Sequence, residues 1–264
     1  MMGRMDNKVA LVFGGARGIG LATVKEFLAE GAIVHASDIR EPAEEIQHEN
    51  LRHSLVDATD EAAVQSFVEQ ALGEHGRIDV LFSNVGIHLG KPLPDTTLEE
   101  FDHIFALNVR TAFLATRAVL PHMIEAKAGS IVITSSNGGM MGRPADPVYN
   151  ATKHALVGLA KSLAVAHAHL GIRVNTVNPG AIDTDMLRST LASPDEFEAK
   201  QHALTASTPA ARVGEAWEVA KAVVFLASDE SRFVNGAVLP VDGAKAAGAM
   251  PGHRYSLDFE LGVR

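Results

Sequence analysis

The 264-residue sequence contains no cysteine, so disulfide crosslinks and thiolate catalysis are both excluded. Aromatic residues make up only 5%, with one tryptophan and two tyrosines, so few phenols are available for chemistry. No uninterrupted apolar run approaches the ~20 residues that span a bilayer, and no membrane partner is expected. Met1 to Lys8 is charged and has no apolar segment of signal-peptide type behind it. The myristoylation pattern, which needs Ser or Thr near Asn7, is also missing. The expected location is the cytoplasm. Positive charge is in deficit too: 23 basic against 32 acidic side chains give −9, with no Lys/Arg-rich run, which argues against a nucleic-acid partner.

What is present is a core-forming chain, 47% hydrophobic, in which short β-branched runs alternate with longer helical patterns. The strands are expected at Val9 to Phe13, Ile33 to Ser37, Leu51 to Val56, Ile78 to Phe82, Ser130 to Thr134, Ile172 to Val177 and Val238 to Val241. A stripe at Ile19, Val24, Phe27 and Leu28 predicts the first helix, stopped by Gly31. Asp60 opens a second helix, and Thr97 with Glu100 forms a capping box before a long one carrying Phe101, Ile104, Phe105, Val109 and Phe113. Asp146 and Pro147 read as N-cap and first residue of a helix running to about Leu170 and ended by Gly171, and Glu215 to Ala227 as a last helix. Length alone leaves one or two domains open. With no repeat, low-complexity stretch or Gly/Ser/Pro linker, the expectation is one doubly wound α/β domain whose seven-stranded sheet is mostly parallel, helices on both faces. Its core runs about 8–243, with an insertion at about 183–212 and a tail at about 249–264.

Between the first strand and its helix lies Gly14-Gly15-Ala16-Arg17-Gly18-Ile19-Gly20. Glycines there allow a tight turn and let backbone N–H groups approach a pyrophosphate, although turns are also glycine-rich for steric reasons alone. Asp38, at the end of strand two and 18 residues after Gly20, stands where a carboxylate reaches an adenosine ribose. A solvated strand-end residue is the alternative. A carboxylate there would repel a 2′-phosphate, so NAD is expected over NADP. Arg17 and Arg40 are the counterweight, able to meet a phosphate or to stand as solvated charges.

Tyr149 and Lys153 are four residues apart, on one face of the predicted helix, and Ser136 ends strand five. An ammonium near a phenol favours phenolate, as acid–base work near neutrality needs, and a hydroxyl can hold a substrate oxygen. Most such Tyr/Lys pairs are surface neighbours. The combination is more specific: the glycine turn, Ser83-Asn84-Val85-Gly86, Ser136, Tyr149-Asn150-Ala151-Thr152-Lys153 and Asn178-Pro179-Gly180 resemble the short-chain dehydrogenase/reductase family, in its order, from about Lys8 to Gly243.

That resemblance implies a Rossmann-type fold and an oxidoreductase moving a hydride between a nicotinamide and a small alcohol or ketone. Tyr149 would be the general acid/base, Ser136 would position the substrate oxygen, and Lys153 would hold the nicotinamide ribose and lower the tyrosine pKa. Asn108 resembles the asparagine that supports a water-mediated proton relay; a tolerated polar residue in a helix is the alternative. Gly14, Arg17, Gly18, Ile19, Gly20, Asp38, Asn84, Gly86, Pro179 and Gly180 would line the cofactor. Asp57 would meet the adenine or else cap the helix near Asp60, and Ile182 and Thr184 would touch the carboxamide, unless Thr184 caps the helix after it. A homotetramer or dimer is implied as well. The alternatives are an NADP-dependent ketone or 3-oxoacyl reductase, and a nicotinamide-binding sensor, although sensors tend to lose the Tyr or Lys.

Two departures stand out: Phe13 replaces the threonine usual before the first motif glycine, and Ser83-Asn84-Val85-Gly86 replaces Asn-Asn-Ala-Gly. Both fall on one contact between strand one and the strand-four turn, and local repacking is expected there. Among twelve histidines, His167 and His169 point to different sides of a helix and no H-E-x-x-H occurs, so no metal is expected. His88 follows the Asn84–Gly86 turn, where loops face the ligand crevice; it is a candidate substrate contact. His154 reads as surface or interface, and Trp217 as core or interface.

Overall fold

The computed structural model describes residues 3–188 and 201–248. The proposed tail at about 249–264 lies outside the described residues, as does 189–200 of the proposed insertion. In chain order the elements are β1 (Val9–Phe13), α1 (Gly18–Ala29), β2 (Ile33–Asp38), β3 (Leu51–Leu55), α2 (Glu61–His75) and β4 (Val80–Ser83). Then come α3 (Leu98–Phe105), α4 (Thr111–Ala126), β5 (Gly129–Thr134), α5 (Pro147–His167) and β6 (Ile172–Pro179). The last are β7 (Ile182–Asp183), α6 (Asp185–Arg188), β8 (Gly214–Glu215), α7 (Ala216–Ala227) and β9 (Val238–Val241).

The seven-stranded sheet has the order β3-β2-β1-β4-β5-β6-β9, and every pairing in it is parallel. Because both faces are covered, its central strands are buried continuously rather than in alternation. Leu11, Phe13, Leu81 and Ile131 pack with Phe67 of α2, Val119 of α4 and Leu156 of α5 on one side. Val12, Val34, Phe82 and Val132 pack with Phe27 of α1 and Val223 of α7 on the other. β2 and β4 leave β1 on opposite sides, which opens a crevice at the carboxyl ends of β1 and β4.

The helix boundaries follow local signals. Asp60 accepts from the N–H groups of Ala62 and Ala63 at 2.8 and 3.3 Å, and Thr97 with Glu100 forms the expected capping box. α5 tightens into a 3-10 turn at Ala168–Leu170 and stops at Gly171, which has φ +72°. The long helix at 98–126 is interrupted by a π turn at Ala106–Arg110 that sequence periodicity did not signal. By length and composition Leu98–Ala126 could cross a membrane, yet half of its most apolar window is buried against the rest of the protein. Phe101 and Phe113 are 39% and 44% exposed rather than turned to the core. Trp217 is not a core residue: it is 51% exposed, and its indole N–H donates to Glu215 at 2.7 Å.

Phe13 occupies the interior at 1% exposure, with its ring edge-on to Phe67 and the centroids 5.2 Å apart. The β1–β4 tie survives by other means. The N–H of Asn84 donates to the Phe13 carbonyl at 3.0 Å, and Asn84 Nδ2 donates to the Gly14 carbonyl at 3.1 Å. Restoring the family's residue by Phe13→Thr should therefore destabilise the protein by about 2–4 kcal/mol, through the cavity and the lost ring pair. Urea denaturation checks this; an unchanged midpoint would mean that Phe13 contributes nothing beyond a small side chain.

Candidate active site

β5 delivers Thr134, Ser135 and Ser136 to the carboxyl edge of the sheet, and α5 brings Tyr149 and Lys153 to the same place. The two elements are pinned closely. Ser135 Oγ donates to the Lys153 carbonyl at 2.9 Å, and a Cβ on Gly139 would come within 2.8 Å of that same oxygen. Ser136 Oγ accepts from the N–H of Gly138 at 3.1 Å, and Asn178 Nδ2 donates to the Ser136 carbonyl at 2.8 Å. Tyr149 and Lys153 are 8% and 4% exposed, with the ammonium 5.6 Å from the ring centroid. Lys153 Nζ donates to the Thr134 carbonyl at 3.2 Å.

Asn108 lies in the π turn and is fully buried. Its Oδ1 accepts from the N–H of Ile87 at 2.7 Å, while Nδ2 donates to the Ile87 carbonyl and to Thr152 Oγ1, both at 3.0 Å. It thus pairs with the loop after β4 as a strand neighbour would. A Cβ on Gly86 would stand 3.1 Å from Asn108 Oδ1 and 3.3 Å from Lys153 Nζ, so the backbone there closes on both. The structure therefore brings Asn108, Ser136, Tyr149, Lys153 and Gly86 together.

Burial dominates the ionisation of this group. It pushes Tyr149 up from the ordinary phenol value; a hydrogen bond with Ser136 and the charge of Arg143 pull the other way, and Asp146 adds to the rise. Burial also lowers Lys153 to about 8. The sequence expectation was a tyrosine lowered by its lysine. In the chain by itself the loss of water outweighs the Ser136 hydrogen bond and the charge of Arg143, so the phenol lies above its ordinary value.

At the crevice, a Cβ on Gly20 would overlap the Gly14 carbonyl, and Gly14 and Gly18 have φ +80° and +53°. α1 starts at Gly18 with no side-chain cap and no acidic residue in its first turn, unlike α2 and α3. Its free N–H groups and macrodipole suit a pyrophosphate, so the residues present fit a dinucleotide. Asp38 ends β2, accepting from the N–H groups of Ala16 and Arg40, each at 3.3 Å. Arg40 is exposed, whereas Arg17 pairs with Asp185 at 3.4 Å and leaves Nε buried without a partner. Thr184 Cγ2 would touch a Cβ on Gly18 at 3.3 Å, which sets β7 against the glycine turn. Its hydroxyl donates to the Ile182 carbonyl at 3.4 Å.

Other expectations resolve differently. Asp57 is exposed and accepts from Thr59 N–H and Oγ1, contacts that hold its pKa below the usual carboxylate value, while the cap of α2 is Asp60. Asn84 is committed on both sides, its Oδ1 accepting from Thr134 Oγ1 at 2.9 Å. Gly180 follows Pro179, and a Cβ there would meet Asp242 Cα at 2.8 Å, so packing alone demands glycine. Asp146 occupies the N-cap position of α5, but its side chain makes no cap; it pairs with His88 at 2.9 Å. A cavity of about 410 Å³ is lined by Met140, Ile182, Thr208, Arg212 and Asp242, among others. Sequence reasoning missed Thr134, Thr152 and Asn178; the last two lay inside quoted motifs, Tyr149-Asn150-Ala151-Thr152-Lys153 and Asn178-Pro179-Gly180, whereas Thr134 carried no signal beyond its strand. It also missed His35, Glu74 and His75, the described residues whose ligand atoms converge within 4.8 Å, from β2 and the end of α2.

The family model described as enoyl-(acyl carrier protein) reductase matches residues 14–244. Cyclopentanol dehydrogenase of Comamonas sp. (strain NCIMB 9872) is 42% identical over 253 residues, covering 93% of this chain and all of that protein. Among solved structures, ligand-free aldohexose dehydrogenase of Thermoplasma acidophilum superposes with a TM-score of 0.88 at 31% identity, over 96% of this chain and 99% of its own. ElxO with NADP bound does so with a TM-score of 0.85, also at 31% identity, over 92% of this chain and all of its own. Sheet order, glycine turn, clustered Ser136, Tyr149 and Lys153 and these likenesses agree: the chain belongs to the short-chain dehydrogenase/reductase family of NAD(P)-dependent oxidoreductases.

Proposed function

We propose that the protein is an NAD-dependent dehydrogenase interconverting a small secondary alcohol and its ketone. The observation that carries this is the convergence of Tyr149, Ser136 and Lys153 at strand ends that Asn84 ties to the glycine turn before the uncapped α1. Nicotinamide, when bound, accepts or returns the hydride. N–H groups of the turn at Gly14, Arg17, Gly18, Ile19 and Gly20 hold the pyrophosphate, Asp38 accepts from the ribose diol, and Asn84 and Gly86 flank the adenosine. Asp57 meets the adenine, and Pro179, Gly180, Ile182 and Thr184 line the nicotinamide end. Ser136 Oγ holds the substrate oxygen, Tyr149 takes the hydroxyl proton in oxidation and returns it in reduction, and Lys153 favours the phenolate. Asn108 keeps the loop after β4 in place beside Lys153, and His88, against the Tyr149 ring, borders the substrate. Similarity to cyclopentanol dehydrogenase makes cyclic secondary alcohols the first substrates to try.

Assays of NAD and NADP reduction with a panel of secondary alcohols test this reading. Tyr149→Phe should lose about 10²–10⁴-fold in turnover while still binding NAD. Asp38→Ala should lower efficiency with NAD about tenfold or more and narrow the gap to NADP. Near-normal turnover of Tyr149→Phe, or a wild-type preference for NADP, would sink the corresponding half.

We also propose a homo-oligomer, a tetramer or dimer, that covers apolar side chains left exposed on α3 to α5, Phe101, Phe113 and Val165. Light scattering should give a multiple of 28.0 kDa; a monomer would refute it.

Lys153 supplies a pH test that needs no substrate. Its folded pKa of about 8 lies below the ordinary 10.5, so between these values the unfolded chain binds more protons. Stability attributable to this residue then rises with pH across that window, and the cost of burying the charge is fully present below it. Lys153→Met should exceed wild type by most near neutrality, by up to about 3 kcal/mol, and the difference should shrink towards about pH 10. Urea midpoints across that range check it; a pH-independent difference would exclude a buried titrating ammonium.

A further inference from the structure

A charged assembly surrounds Tyr149 that the acid–base reading above does not use. Asp146 is 4% exposed and sits where it could cap α5, yet its carboxylate is turned away from the helix. Oδ2 accepts from His88 Nε2 at 2.9 Å and from Arg143 Nη1 at 3.4 Å, while Oδ1 is buried with no partner. Arg143 Nη2 donates to Asn137 Oδ1, which also accepts from Ser136 Oγ at 3.3 Å. His88, Asp146, Arg143, Asn137 and Ser136 thus form one hydrogen-bonded chain that joins the loop after β4 to the end of β5. His88 also packs edge-on against the Tyr149 ring, with centroids 4.8 Å apart and planes at 72°. Gly90 leaves room for that ring, since a Cβ there would stand 3.1 Å from His88 Cε1.

We propose that Arg143 and Asp146, held in place by His88 and Asn137, are an opposed pair of positioning charges acting on the Tyr149 hydroxyl, in addition to Lys153. The proposal rests on the acid/base reading of Tyr149. Charged and titratable groups reach Tyr149 from three directions: Lys153 from α5 itself, His88 from the loop after β4, and Arg143 with Asp146 from the segment before α5. Arg143 favours phenolate and Asp146 opposes it, and both act on a phenol whose burial already favours the protonated form. Asp146 stays ionised for this role: burial opposes its charge, but the His88 hydrogen bond and Arg143 hold its pKa below the ordinary carboxylate value. A salt bridge that merely clamped the loop would respond alike to loss of either partner. Positioning charges of opposite sign respond in opposite directions.

The chain has only two tyrosines, so Tyr255→Phe leaves Tyr149 as the single phenol, and its phenolate absorbance can be titrated with and without saturating NAD. In that background Asp146→Asn should move the midpoint down and Arg143→Met should move it up, each by about half a pH unit, while Arg143→Lys stays near the parent. The acid limb of kcat/KM for oxidation of cyclopentanol should move in the same directions, with KM for NAD unchanged. Coincident midpoints, or shifts of the same sign in both variants, would overturn the proposal while leaving Tyr149 as the base. Turnover surviving Tyr149→Phe would instead remove the reading on which it rests.

Discussion

An ammonium group with almost no access to water has to be satisfied by the protein, and the site is arranged around that demand. Lys153 reaches it through the Thr134 carbonyl at the end of β5, while Ser135 ties the lysine's own carbonyl. Gly86 lets the β4 loop close over the nitrogen, and the π turn places Asn108 where its amide holds that loop. Four separate elements are thereby committed to one buried charge. Its cost appears in the lowered pKa, which makes the lysine's charge state sensitive to pH just above neutrality.

The parallel sheet makes the arrangement possible. With hydrophobic layers on both faces, strand ends are the places where backbone and polar side chains meet space that a ligand can enter. The change of direction around β1 sets the glycine turn beside Asn84, and Asn84 bridges that turn to Thr134. The dinucleotide crevice and the Tyr149 corner therefore share a support. A disturbance at Asn84 would be felt on both sides.

Phe13 and Asp146 show how a position can keep its place and change its work. Phe13 gives up a hydroxyl for apolar packing on Phe67, and the polar tie it would have made passes to Asn84. Asp146 makes no helix cap and pairs with His88 and Arg143 instead.

Local signals were enough for the sequence to determine the seven strands of the main sheet, the caps of α2 and α3, the glycine turn and the i, i+4 pairing of Tyr149 with Lys153, but not the short β7 and β8. Each depends on residues within a few positions of one another: side-chain period, cap chemistry, steric freedom at glycine. A mostly parallel, doubly wound sheet was implied as well, but its strand order came from the tertiary structure. Tertiary structure alone decided the rest. Asn178, Thr152 and Thr134 join the site across 42, 44 and 19 residues of chain, and no local spacing encodes such contacts. The π turn at Asn108 needs a buried partner to stabilise it, so periodicity read through it as ordinary helix. Whether Trp217 and Phe113 are buried was likewise not in the sequence, because apolar character is a property of sequence, whereas burial depends on what packs against it. Desolvation of Tyr149, which raises its pKa, is also imposed only by the folded protein.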